Sequence, residues 1–435
     1  MKKEILHSNV TIGENSHLYF AGVDTVELAK KYGTPLILID ENRIRERCRE
    51  YVTAMKQSFG GESMPLFASK ALSFKEIYRI VGSENMGCVI VSPGELYTAK
   101  SAGFPMEKAY FHGNNKTDED IAFAMDSGLG FFVVDGVEEL ESIDIEAGKR
   151  GIKQKILLRL TPGIDPHTHK KISTGGVDSK FGSAIATGDA EKIVKLALDK
   201  KNIRVCGYHC HVGSQIFEID PFVLAADIML NFSAQMRDKF GFEAEKINLG
   251  GGFGIRYIES DPIISITENI EEIAKIIKAK FLELNLKIPD ILMEPGRSIV
   301  ADSGMTIYTV GSVKEIEGFR NYVSIDGGMT DNPRYALYQS NYTFVTANKA
   351  DETPDFECTI GGRCCESGDL LGEGVKIAKP KRGDNLAVLV TGAYNYSMAS
   401  NYNRITKPPI VIIKDKTPRI AVKRQTFEDL TSLDL

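Results

Sequence analysis

No stretch of this 435-residue sequence approaches the roughly 18 uninterrupted apolar residues of a membrane-spanning helix, so no span is predicted. Met1-Lys2-Lys3-Glu4 is followed by no apolar segment of the kind a secretory signal carries. An excess of positive charge is also missing. Lysine and arginine number 53 against 59 acidic residues, a formal charge of −6, which leaves no electrostatic footprint for nucleic acid. Nor is there a disulfide framework. Cys48, Cys88, Cys206, Cys210, Cys358, Cys364 and Cys365 are an odd, scattered set, several of them within apolar runs, and fit reduced thiols in a cytoplasm. There is no low-complexity segment and no internal repeat beyond a strand–helix unit. What remains is an ordinary globular composition, 43% hydrophobic and 26% charged, long enough for two domains or a large barrel with an appendage.

Residues 1–33 read as a lead-in expected to pack with a β domain, in which Asp24 caps a helix that ends at Gly33. Residues 34–303 read as one domain. It opens with the strand-like Leu36-Ile37-Leu38-Ile39 and an amphipathic helix over 41–58. Apolar runs at 64–69, 86–91, 108–112, 130–134, 155–160, 204–211, 245–249 and 290–293 then alternate with helical stretches. Eight such units over about 240 residues have the size and rhythm of an α/β fold of the (β/α)8, TIM-barrel type. A doubly wound sheet is the competing layout, but its glycine fingerprint after the first strand is absent. Residues 304–435 change texture: β-rich runs separated by Gly, Pro, Asp and Asn predict a C-terminal β domain, sandwich-like or barrel-like.

The barrel strands end on chemically pointed residues. Lys70 follows the first run; it is either an exposed ammonium or an amine made nucleophilic by desolvation and able to form a Schiff base. Gly250, Gly251 and Gly252 follow the seventh run, where the backbone of a barrel loop can approach a phosphate; a plain flexible turn is the alternative. Glu294-Pro295-Gly296-Arg297 follows the eighth. A carboxylate at a buried strand end needs a partner, either a protonated cofactor nitrogen or a structural arginine. The sixth run ends in Tyr208-His209-Cys210-His211-Val212-Gly213-Ser214. Strand alternation sends His209 and His211 to one face and Cys206 and Cys210 to the other, so the four diverge and zinc is not expected. An imidazole packed on a ligand and a Ser214 hydroxyl facing an anion fit better. Arg159 inside the fifth run implies an anionic or phenolic partner, while His167 and His169 read as surface groups. In the β-rich half, Cys365 beside Glu366 is either a proton donor or a structural thiol. Arg334, near Tyr338, can clamp a carboxylate.

Taken in order, Ser69-Lys70-Ala71, Ser92-Pro93-Gly94-Glu95-Leu96, His112-Gly113-Asn114-Asn115-Lys116, Lys180-Phe181-Gly182, His209 to Gln215, the glycine triplet, Glu294 to Arg297, Cys365-Glu366-Ser367-Gly368-Asp369 and Gly392-Ala393-Tyr394 resemble the fold-type III pyridoxal-phosphate-dependent decarboxylases, in particular the diaminopimelate decarboxylase family. The likeness runs over nearly the whole chain. It implies pyridoxal 5'-phosphate attached to Lys70, with His211 stacked on its ring and Glu294 on the ring nitrogen. Ser214, Gly250, Gly251, Gly252, Pro295, Gly296, Arg297 and Tyr394 would complete the cofactor site. Arg297, Arg334, Tyr338, Glu366 and Tyr394 would grip the amino acid, and Cys365 would return the proton across a homodimer interface. Decarboxylation of meso-diaminopimelate to L-lysine is the implied reaction; carboxynorspermidine, ornithine or arginine are the alternative substrates. The chain departs from the family pattern at Ala71-Leu72, at Pro93 and at Asn332-Pro333-Arg334-Tyr335.

Overall fold

A computed structural model describes residues 4–164 and 178–435, which leaves His167 and His169 outside the described residues. The chain divides into two compact units. One runs over Arg47–Gly254 and Ile264–Gly296; the other joins the residues up to Glu46 with Ile255–Ile263 and Arg297–Leu435.

The first unit is a closed parallel barrel. Its strands are β1 (Met64–Ala68), β2 (Gly87–Ile90), β3 (Ala109–Phe111), β4 (Phe131–Val134), β5 (Gln154–Thr161), β6 (Ile203–His209), β7 (Lys246–Asn248) and β8 (Asp290–Met293). Neighbours pair in parallel around the ring, and β8 pairing with β1 closes it. Almost every strand residue is buried on both faces, which explains runs that are continuously apolar rather than alternating. The interior is filled by Leu66, Val89, Tyr110, Phe131, Val133, Leu157, Cys206 and Leu292, all from strands, with Tyr110 and Phe131 stacked at 4.5 Å. Helices such as Asp189–Leu198, Asp220–Phe240 and Ile266–Glu283 follow the strands with apolar faces buried.

Strand β6 departs from simple alternation. Ile156 pairs with Val205 but Leu157 pairs with Gly207, so Cys206 is a bulged residue. Gly207 has φ +153°, and a Cβ there would lie 1.8 Å from the Lys246 carbonyl oxygen, so only glycine fits. The bulge resets the parity: Cys206 lies in the interior cluster although it is three residues from His209, the odd spacing that alternation would send to the opposite face.

In the second unit the eleven-residue strand Gly304–Lys314 is central. It pairs antiparallel with Tyr322–Ile325, Asn385–Leu389 and Leu36–Asp40. Leu36–Asp40 also pairs in parallel with Ile410–Lys414. The sequence places this strand at the head of the barrel domain. All five of its residues are buried, and it takes partners from more than 260 residues downstream in the β-rich sheet instead. The lead-in forms a small sheet of four strands and the helix Thr25–Tyr32, with Asp24 accepting from the N–H groups of Val26 and Glu27 and Gly33 closing its C-terminus.

Candidate active site

At the barrel's C-terminal rim, β1 stops at Ala68 and Ser69–Ala71 make one 3-10 turn, which leaves Lys70 exposed, the first of the two alternatives the sequence left open. The turn itself is fixed. Buried Ser69 donates its hydroxyl to Glu95 Oε2 at 2.6 Å, and the same oxygen accepts the Val91 N–H at 2.9 Å. The Ala68 N–H donates to the Pro295 carbonyl at 2.9 Å, tying the lysine turn to the Glu294-Pro295-Gly296 turn. Lys70 acts electrostatically on Glu95 and on His211. Burial, then the Lys70 charge, holds His211 well below the usual imidazole range. It is therefore a neutral ring, and its Nδ1 accepts the Gly251 N–H at 3.3 Å.

Glu294 is the electrostatic centre of this unit. Its side chain is 9% exposed, and three strand ends converge on it. His112 Nε2, after β3, lies 3.0 Å from Oε1; His209 Nε2, at the end of β6, lies 3.4 Å from Oε2. Asn248, at the end of β7, donates its amide to Oε1 at 2.7 Å and accepts the Gly250 N–H at 2.9 Å. Burial works against the charge, but His112 and His209 outweigh it and hold Glu294 well below the usual carboxylate range. Burial pushes both imidazoles down, His209 to about 4, against the opposing pull of the Glu294 charge. Among the described residues neither ring makes an aligned hydrogen bond: His112 Nε2 and both nitrogens of His209 are buried without a partner there. These three residues carry metal-ligand atoms within 4.8 Å of one another, a different set from the cysteines and histidines weighed in the sequence.

The glycine triplet is forced by close backbone approach. A Cβ at Gly251 would fall 2.0 Å from the Glu294 carbonyl oxygen, and one at Gly252 would fall 2.6 Å from that of Gly213. Only glycine lets the loop after β7 pack onto the loops after β6 and β8. Ser214, next to Gly213, is half-buried.

The second unit has its own cluster of buried polar groups. Arg297 donates to the Tyr257 hydroxyl at 2.7 Å and lies over the Tyr394 ring at 4.7 Å. Arg334 lies over Tyr338 at 4.8 Å and Tyr394 at 5.3 Å, with no acidic partner among the described residues and a buried, unpaired Nε. Tyr342 packs edge-on against Tyr257 and donates to Asn395 Oδ1 at 3.2 Å. Cys365 and Glu366 are exposed. Their loop is pinned by Asp369, which accepts the N–H groups of Met329 at 2.6 Å and Cys364 at 2.7 Å, while the Cys365 N–H donates to Asn403 at 2.7 Å. The Cys365 thiol makes no hydrogen bond among the described residues.

The pyridoxal-binding domain of the pyridoxal-dependent decarboxylases matches residues 41–301. A diaminopimelate decarboxylase of Bacillus subtilis is 44% identical over 433 residues, covering 99% of this chain and 98% of the relative. That of Staphylococcus aureus is 42% identical over 422 residues, covering 97% and 98%. A solved diaminopimelate decarboxylase of M. jannaschii in complex with L-lysine superposes with a TM-score of 0.90 at 33% identity, over 98% of both chains. The chain belongs to the diaminopimelate decarboxylase family.

Family membership brings pyridoxal 5'-phosphate as cofactor, and the barrel residues fit it. A desolvated, ionised carboxylate ringed by unpaired nitrogens suits a ring nitrogen that must stay protonated. A glycine-only loop suits a phosphate. Within the barrel, the turns that carry Lys70, His211, Gly250, Gly251, Gly252, Glu294, Pro295 and Gly296 are tied together. Arg297, Arg334, Tyr338 and Tyr394 assemble in the other unit, and Cys365 and Glu366 stand apart on their own loop. Sequence reasoning missed Asn248, Tyr257 and Tyr342, and gave His112 and His209 no role beside Glu294. The available signal for His209, Asn248 and His112 was their place at, or one residue past, a barrel strand end; Tyr257 and Tyr342 carried none. Arg159 meets Phe181 at 4.3 Å and Asp135 at 3.9 Å; its aromatic neighbour is not phenolic.

Proposed function

We propose that the chain decarboxylates meso-2,6-diaminopimelate to L-lysine and carbon dioxide, with pyridoxal phosphate carried on Lys70. The observation that carries this reading is the buried, ionised Glu294. Pyridoxal phosphate supplies, when bound, the electron sink that accepts the bond pair left at the α-carbon. Lys70 would hold the cofactor and yield it to the substrate amine; its exposure leaves the amine accessible. His211 lies against the ring as a neutral aromatic surface, and Glu294 keeps the ring nitrogen protonated. Ser214, Gly250, Gly251, Gly252, Pro295, Gly296, Arg297 and Tyr394 hold the cofactor's phosphate end.

Arg297, Arg334, Tyr338, Glu366 and Tyr394 grip the amino acid. Diaminopimelate carries at its far end a second carboxylate, which lysine and ornithine lack. A buried guanidinium with an unpaired Nε and no acidic partner supports such an anion. Cys365 returns a proton to the α-carbon. Its exposed thiol and the self-contained loop around Asp369 support delivery with Glu366 into a partner subunit's site in a homodimer, in a cytoplasm that keeps the thiol reduced. Among the described residues no helix is long and apolar enough to cross a membrane.

The test is a substrate panel on the purified, cofactor-loaded protein: meso-diaminopimelate, ornithine, arginine and carboxynorspermidine. Diaminopimelate is expected to turn over fastest, releasing L-lysine. Faster turnover of another member would reassign the substrate, and release of no lysine would refute the reading.

A further inference from the structure

Glu294 has two oxygens in unequal surroundings. A carboxylate has about four lone-pair sites, two on each oxygen. Oε1 accepts the Asn248 amide at 2.7 Å and has His112 Nε2 crowded against it at 3.0 Å, close but not aligned as a hydrogen bond. Among the described residues Oε2 has only His209 Nε2, at the long distance of 3.4 Å. The two imidazoles pack edge-to-face at 4.7 Å and are 4% and 1% exposed, so each restricts the other's rotation. Isolating a carboxylate from water without partners would drive it to take up a proton, and a protonated Glu294 could not keep a ring nitrogen charged. His112 and His209 stand at the ends of strands β3 and β6, while Glu294 follows β8. The carboxylate is therefore held from other strands rather than by its own loop.

We infer that His112 and His209 are a paired set of positioning residues, which occupy and orient Glu294 so that Oε2 is left for the cofactor's ring nitrogen. Neither imidazole is assigned contact with substrate. Both act through Glu294 and set the strength of the electron sink. The inference rests on the cofactor reading above. It extends that reading to two residues which carried no role in the sequence.

The test is the 15N chemical shift of ring-labelled pyridoxal phosphate bound to the full-length protein, which reports protonation of the ring nitrogen without turnover. Wild type is expected to keep the protonated shift from pH 6 to 9. The double variant His112→Leu with His209→Leu is expected to bind the cofactor yet show the deprotonated shift over part of that range. Its kcat should fall about 10²-fold, the size of losing one preorganised electrostatic contact, with KM within about twofold. His112→Gln and His209→Gln, made singly, retain an amide donor and are expected to recover the protonated shift; they also serve if the double variant does not fold. A protonated shift in the leucine variants across the range would overturn the inference. So would a loss of kcat with the shift unchanged. If wild type itself shows the protonated shift but releases no lysine, the substrate assignment fails and the positioning role stands.

Discussion

Each unit of the chain buries a carboxylate, and the two are pushed in opposite directions. In the β-rich unit, burial raises Asp331 to about 7, although Tyr308 donates to it and the Gly328 N–H lies at 3.0 Å. In the barrel unit Glu294 is also withdrawn from water, yet His112 and His209 hold it well below the usual carboxylate range. The difference shows that depth alone does not decide protonation. The neighbours matter too: two imidazoles brought by converging strand ends face Glu294, whereas Asp331 feels the like charges of Asp326 and Asp369. The β-rich unit lacks that convergence. It offers arginines packed on tyrosine faces, suited to receiving charge on a ligand rather than supplying it.

The division can be broken most sharply at Lys70. Lys70→Ala should abolish the visible absorbance of the bound cofactor and lower turnover by at least about 10⁴-fold; absorption spectra of the purified variant check it. Glu294→Gln removes the charge but not the shape. It should keep the cofactor and lower kcat by roughly 10²- to 10³-fold, as steady-state kinetics would reveal. Arg334→Ala probes the other unit. It should raise KM for diaminopimelate about 10- to 100-fold, the equivalent of one charge-assisted contact, and change ornithine turnover little. Equal losses on both substrates would place Arg334 outside distal recognition.

The smallest effect separates the two carboxylates by pH. The unfolded chain releases the Asp331 proton near the ordinary 3.8, whereas the folded chain keeps it to about 7. The stability from this residue is therefore full below pH 4, declines as pH rises to 7, and is level beyond. Asp331→Asn should flatten that slope in urea unfolding measured between pH 4 and 8. Glu294 has the opposite sign: its folded value lies below the ordinary 4.5, so its contribution is present above that pH and is lost on acidification.

Most of the barrel was legible in the sequence because each strand is a short apolar run bounded by a helix of ordinary length. Leu36–Asp40 has the same local character, but its partners are Gly304–Ile307 and Ile410–Ile413, and pairing across such distances leaves no mark within the strand. Lys70, Glu294 and the glycine triplet could be read because each follows a strand directly. The collar around Glu294 could not, since it joins residues 112, 209 and 248 from three strands. Cys206 was misplaced relative to His209 because one bulged residue inverts the alternation from which faces are inferred. The aromatic beds of Arg297 and Arg334 come from Tyr257, Tyr338 and Tyr394, whose proximity arises only when the β-rich unit folds.

The proposed chemistry turns on the barrel unit carrying the cofactor on Lys70, the lysine that follows its first strand. Borohydride reduction of the cofactor-loaded protein, followed by peptide mapping, tests it most directly. A single pyridoxyl-modified residue at Lys70 is expected; modification at any other lysine, with Lys70 unmodified, would rule that attachment out.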